Sequence, residues 1–166
     1  MDIVYDTYTE ISLKELERIR RAKLVEPLTY VNIHNDTPIP VQIEKCWVCS
    51  KNKENLQILQ RDFYITLSKT YGIKFVLSGY VTDANGVQNC TEVSTGVTTV
   101  RYDLNSNIEE ADCRMVPHIA KAAENGVERV VVLSNDTDVV VLMLHYMNKF
   151  FSSWFERIVA QVWYWC

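Results

Sequence analysis

Five carboxylates in this chain have types and spacings that could hold a divalent cation. Asp6 directly follows the apolar triplet Ile3-Val4-Tyr5. Asp136 and Asp138 directly follow Val130 to Ser134, in the string Ser-Asn-Asp-Thr-Asp. Glu110 and Asp112, in the string Glu109-Glu-Ala-Asp112, stand where a helix is expected to open. In open α/β sheets a ligand lies just beyond the carboxyl ends of the strands, which is where Asp6 and the Asp136/Asp138 pair fall. Residues i and i+2 share a side only in extended backbone. Inside a helix Glu110 and Asp112 would point ~200° apart, so they converge only at its start. Several carboxylates brought together need a counter-charge. An all-oxygen set without His or Cys suits Mg²⁺ or Mn²⁺. Two such ions serve phosphodiester hydrolysis, one activating water and the other steadying the leaving oxygen. The competing reading is that Asp-x-Asp after a strand simply caps the next helix.

A second group of residues could hold phosphate. Between Lys14 and Lys23 stand five basic residues, including Lys14, Arg18, Arg20 and Arg21, against two acids. Lys14, Arg18 and Arg21 lie at i, i+4 and i+7, close to one helical face. The whole chain does not advertise such a role, because 17 basic against 21 acidic residues leave a net charge of −4. The basic and acidic residues are, however, segregated along the sequence. That pattern can present a phosphate-binding surface beside a cation site. Cys46-Trp-Val-Cys49 has the spacing of zinc and redox motifs, but no second pair accompanies it, so structural thiols are the favoured reading.

These residues need elements to position them. At 166 residues, with 48% hydrophobic and 23% charged residues, the chain suits one domain with a real core and is not a disordered one. No apolar run approaches the ~18 residues of a membrane span, and the N-terminus lacks the marks of a signal peptide. An intracellular placement, nuclear or cytoplasmic, with no membrane, is the expectation. Ile3 to Tyr5 reads as a strand. Ser12 and Glu15 form a capping box for a helix over 13–24, and 26–44 reads as loop with extended pieces. A helix is expected over Lys51 to Tyr71, with Leu56, Leu59, Phe63 and Leu67 on one stripe and Gly72 as its cap. Further strands are expected at 73–77, 98–102, 127–133 and 157–165, with a turn at 83–86 and helices over 108–124 and 138–150. The β-branched run 127–133 should be a parallel strand buried on both faces. The order is that of an α/β layered domain.

Taken in order, Val4-Tyr-Asp-Thr-Tyr, Arg18-Ile-Arg-Arg, Glu109-Glu-Ala-Asp-Cys-Arg and Val132-Leu-Ser-Asn-Asp-Thr-Asp resemble a PIN-like domain of the flap-endonuclease (5′-nuclease) branch. The resemblance implies a three-layer α/β fold, with a mostly parallel central sheet flanked by helices. It covers 1–150 as a partial nuclease domain and leaves 151–166 as a divergent tail, so the fold is expected to be incomplete at both ends. By the same resemblance Asp6, Glu110, Asp112, Asp136 and Asp138 are metal-site and catalytic carboxylates for Mg²⁺ or Mn²⁺. Lys14 and Arg20 correspond to the residues that hold the scissile phosphate, with Arg18 or Arg21 able to fill the second role. The implied partner is nucleic acid, DNA or RNA. The branch also has an earlier aspartate-bearing strand, and a later acid for which this chain offers only Glu156. Two functions are therefore carried forward, a metal-dependent nuclease and an inactive PIN-like binding module.

Overall fold

The computed structural model describes residues 1–7, 16–17, 20, 32–82, 88–127, 129–150 and 158–162. It is an α/β structure in two compact units, Met1–Glu109 and Glu110–Cys166. The first unit carries strands β1 (Asp2–Val4), β2 (Phe75–Thr82), β3 (Gln88–Ser94) and β4 (Val97–Val100), with helices α1 (Ile43–Val48) and α2 (Ser50–Tyr71). The second carries α3 (Ala111–Glu124), β5 (Val130–Ser134), α4 (Thr137–Phe150) and β6 (Ile158–Val162).

The four-stranded sheet of the first unit runs β1-β2-β3-β4. β1 lies parallel to β2, with Ile3 opposite Leu77, while β2–β3 and β3–β4 are antiparallel. The sheet is thus mixed, where a mostly parallel one was expected. The reason is local: β3 and β4 are joined by only Thr95 and Gly96, and so short a connection permits antiparallel pairing alone. β5 and β6 form a separate parallel pair, with Val132 opposite Ala160. Parallel neighbours need a long crossover, which α4 and the chain after it supply.

Alternation along β2 divides the first core in two. Phe75 and Leu77 point with Val93 to one face, where Tyr64, Ile65 and Leu67 of α2 cover them together with Ile3 and Tyr5. Val76 points to the other face, against Cys90 and Leu104. Leu104 arrives on a short 3-10 turn, Tyr102–Leu104. α2 ends at Gly72, whose φ of 67° is the left-handed conformation that lets its N–H reach the Ser68 carbonyl at 2.9 Å. The anticipated stripe is displaced on this helix. Phe63 is exposed, and the buried positions are the polar Asn52, Gln57 and Ser68.

In the second unit Ile119, Val132, Val139 and Met143 make the core. Only one face of β5 is covered by α3 and α4. Val131 and Leu133 remain 48% and 56% exposed, so the expected burial of both faces does not hold. No helix of the described residues is long and apolar enough to cross a membrane.

Candidate functional site

Asp6 stands two residues beyond the last residue of β1. The Tyr5 N–H still bonds the Ser78 carbonyl at 2.9 Å, so β1 delivers the aspartate at the carboxyl end of a parallel pair. Two further ties fix the backbone there. Gln57 Nε2, on the buried face of α2, donates to the Asp6 carbonyl at 3.0 Å. Thr7, itself buried, donates from its N–H at 3.0 Å and from its hydroxyl at 3.3 Å to the carbonyl of Glu109. The neighbouring Tyr5 phenol is pushed upward by burial first, then by the Tyr64 hydroxyl, and stays protonated. Asp6 itself is half-buried.

α3 begins at Ala111, which makes Glu110 its N-cap and Asp112 its second residue. That is the helix start at which i and i+2 carboxylates can converge. The Arg114 N–H bonds the Glu110 carbonyl at 3.2 Å, and Asp112 Oδ1 accepts the Cys113 N–H at 2.7 Å. Both carboxylates are half-buried.

The string that follows β5 is a hydrogen-bonded chain. The Asp136 N–H donates to Ser134 Oγ at 3.0 Å, and the Asp138 N–H donates to Asp136 Oδ1 at 2.9 Å. Since α4 starts at Thr137, Asp136 occupies its cap and Asp138 its first turn. Each gains from the positive end of the helix dipole. Both side chains are exposed. A cap engages one oxygen of a carboxylate that has two, so capping leaves acceptor capacity for a cation.

The donor chemistry suits a hard cation, because Mg²⁺ keeps several waters and needs only one or two carboxylates. Among the described residues of the second unit, however, no three of Glu110, Asp112, Asp136 and Asp138 come close enough to share one ion. Asp6 belongs to the first unit.

Of the residues expected to hold phosphate, Lys14, Arg18 and Arg21 lie outside the described residues. Arg20 is helical and exposed, and it meets Glu17 as a bidentate pair, with Nε and Nη2 each 2.7 Å from a carboxylate oxygen. Such an exposed i, i+3 pair is a weak tie that a phosphate could displace.

Cys46 and Cys49 are free thiols at the corner between α1 and α2. Beside them lies a cleft of about 380 Å³ lined by Ile33, Pro38, Ile39, Cys46, Trp47 and Leu56, among others. Gln57 and Thr7 are the positioning residues that sequence reasoning missed. The only signal for Thr7 is its place beside Asp6, and nothing in the pattern marks Gln57. No protein-family model, no curated protein and no solved structure matches this chain.

Proposed function

We propose that the chain is a PIN-like domain of the flap-endonuclease type, hydrolysing phosphodiester bonds in DNA or RNA with Mg²⁺ or Mn²⁺. The observation that carries the reading is that carboxylates follow the carboxyl ends of both described parallel pairs, Asp6 after β1 and Asp136 with Asp138 after β5. By the resemblance Asp6, Glu110, Asp112, Asp136 and Asp138 would be metal-site carboxylates, and Lys14, Arg18, Arg20 and Arg21 would be phosphate-binding residues. A bound divalent ion supplies Lewis-acid activation and neutralises developing charge. The chain's own part is to fix its carboxylates before substrate arrives: β1 and Gln57 hold the Asp6 backbone, and the Ser134–Asp136–Asp138 chain holds the start of α4. An intracellular placement goes with this reading.

A second reading, a non-catalytic module that binds nucleic acid or protein, is favoured by two observations. Asp136 already has employment as a helix cap, and no three carboxylates gather in the second unit. With the donor set so spread, we expect one detectable metal site and weak or absent cleavage.

The deciding experiment compares the native chain with Asp136→Asn. Asparagine caps a helix about as well as aspartate, so the substitution removes charge while keeping the fold. Under the nuclease reading, Mg²⁺ or Mn²⁺ raises the melting temperature by mass action, approaching about 2.7 kcal/mol at roughly a hundredfold excess over Kd. Labelled flap, single-stranded or duplex substrates are then cut in Mg²⁺ and spared in EDTA, and both effects shrink in Asp136→Asn. A melting temperature indifferent to either ion supports the module. Robust cleavage that survives Asp136→Asn rejects the assignment.

A further inference from the structure

The corner between α1 and α2 carries two thiols that the proposed hydrolysis does not use. Cys46 is buried in the last turn of α1, and Cys49 is half-buried at the junction, at once the cap that ends α1 and the cap that opens α2. The Cys49 N–H bonds the Cys46 carbonyl at 3.3 Å. A backbone bond from i+3 to i closes a turn whose end Cα atoms lie within about 7 Å. A disulfide accepts Cα separations of about 4.4–6.8 Å. Cys49 leaves helical geometry, with φ −83° and ψ 113°, so the turn does not continue α1 past it.

Asn52 sets the environment of the buried partner. Its side chain is fully buried, and Nδ2 donates to the Cys46 carbonyl at 3.2 Å and lies 3.5 Å from Cys46 Sγ. The contact to sulfur is the longer and weaker of the two. Losing it leaves the carbonyl contact and the Asn52 N–H bond to the Cys49 carbonyl at 3.1 Å in place. The corner therefore has a hydrogen-bonded frame that does not depend on the thiol of Cys46.

We infer that Cys46 and Cys49 form a reversible disulfide pair, with Cys49 the thiol that small disulfides reach first and Cys46 the thiol that resolves the intermediate. The co-reactant is a small disulfide of the glutathione class. Cys49, as thiolate, attacks one sulfur of it; the reagent's S–S bond breaks, and one glutathione leaves with the electron pair and takes up a proton. Cys46 then gives its proton to solvent and attacks the Cys49 sulfur, and the second glutathione departs in the same way. Two protein thiols are oxidised and one small disulfide is reduced to two thiols. In a reducing compartment such a pair stays open until the glutathione balance shifts, as redox-sensing pairs do.

Cys46 and Trp47 line the 380 Å³ cleft, so the state of the pair is written on the wall of that cleft. Cys90 offers a control within the same unit. It is fully buried, and burial pushes its thiol up to about 11, so it remains protonated and inert in the folded chain.

The test incubates the folded native chain with oxidised glutathione, quenches in acid, alkylates under denaturing conditions and maps the peptides by mass. The expected result is a Cys46–Cys49 peptide two hydrogens lighter that carries no alkyl group, with Cys90 alkylated. Reduced glutathione should restore two alkylatable thiols. In Cys46→Ser the mixed glutathione disulfide should instead persist on Cys49. The native chain alone suffices to overturn the inference, if its Cys49 is recovered as the mixed disulfide or as a free thiol under full oxidation. The result does not depend on metal or nuclease activity, so it stands or falls separately from the proposed function.

Discussion

At the scale of single residues, the contacts that hold the end of β1 are made to backbone carbonyls. Gln57 reaches 51 positions back along the chain to satisfy the carbonyl of Asp6. Gln57→Leu leaves that half-buried acceptor without its donor, and we expect a loss of about 1–2 kcal/mol in urea unfolding. Thr7→Val removes only the longer of two donors to the Glu109 carbonyl and should cost less than about 1 kcal/mol. A reversed ranking would show that the hydroxyl, and not α2, governs the end of β1. A charged residue gives a pH signature. Glu92 bonds Lys74 Nζ at 2.7 Å and Arg101 Nη1 at 2.8 Å. The Lys74 bond first, and Arg101 after burial's opposing effect, hold its carboxyl below the usual range. A depressed carboxylate contributes stability above its unfolded pKa and loses it as pH falls through the folded one. Glu92→Gln should therefore cost about 1 kcal/mol near neutral pH, kept small because the Lys74 side chain is mostly exposed, with the difference fading below roughly pH 4. Melts at two pH values measure it. Asp6, Asp136 and Asp138 stand out in the sequence because they follow apolar runs, and Glu110 and Asp112 because a helix is expected to open there. Gln57 could not, since a glutamine between Leu56 and Ile58 of a helix carries no mark of the carbonyl 51 positions away.

Elements were legible where local chemistry dominates. The expected helix 51–71 with its glycine cap matches α2 within one residue, and 138–150 matches α4 equally well. β3 was not read at all. Gln-Asn-Cys-Thr-Glu-Val-Ser is nearly all polar, and its fitness as a strand lies in pairing with β2 and β4, with Glu92 ion-paired to Lys74 and Arg101. The expected strand 73–77 covers only the start of β2. In the fold the chain takes a register shift between Ser78 and Val81 and continues to Thr82. α1 was missed because six residues carry too little periodicity and no side chain caps them. The β3–β4 turn yields a paired prediction. Thr95 and Gly96 both have positive φ, 50° and 80°, the mark of the tight turn that favours Asn-Gly. A β-branched residue is strained there. Thr95→Asn should raise the melting temperature, by the equivalent of about 0.5–1 kcal/mol. Gly96→Ala should lower it, because its Cβ would also sit 3.2 Å from Lys69 Cβ. Thermal melts of the two variants should move in opposite directions.

Across the whole molecule, protection should follow pairing. β2 is bonded on both sides, by β1 and β3, and its Leu77 is fully buried. β5 is paired by β6 on one side among the described strands, and alternate residues face solvent. Hydrogen exchange should find the Leu77 amide among the slowest and those of Val131 and Leu133 much faster; equal rates would contradict the link between pairing and protection. The junction between the units has its own consequence. Boundaries between compact units usually run through exposed linkers that proteases cut first. Here the first unit closes on Glu109, whose carbonyl is held twice by the buried Thr7. A glutamate-specific protease must lift several residues into its cleft before it can cleave. Doing so after Glu109 means breaking both Thr7 bonds at the end of β1. Limited digestion should therefore nick exposed glutamates such as Glu124 first, and the peptide bond at the boundary should outlast its own surroundings.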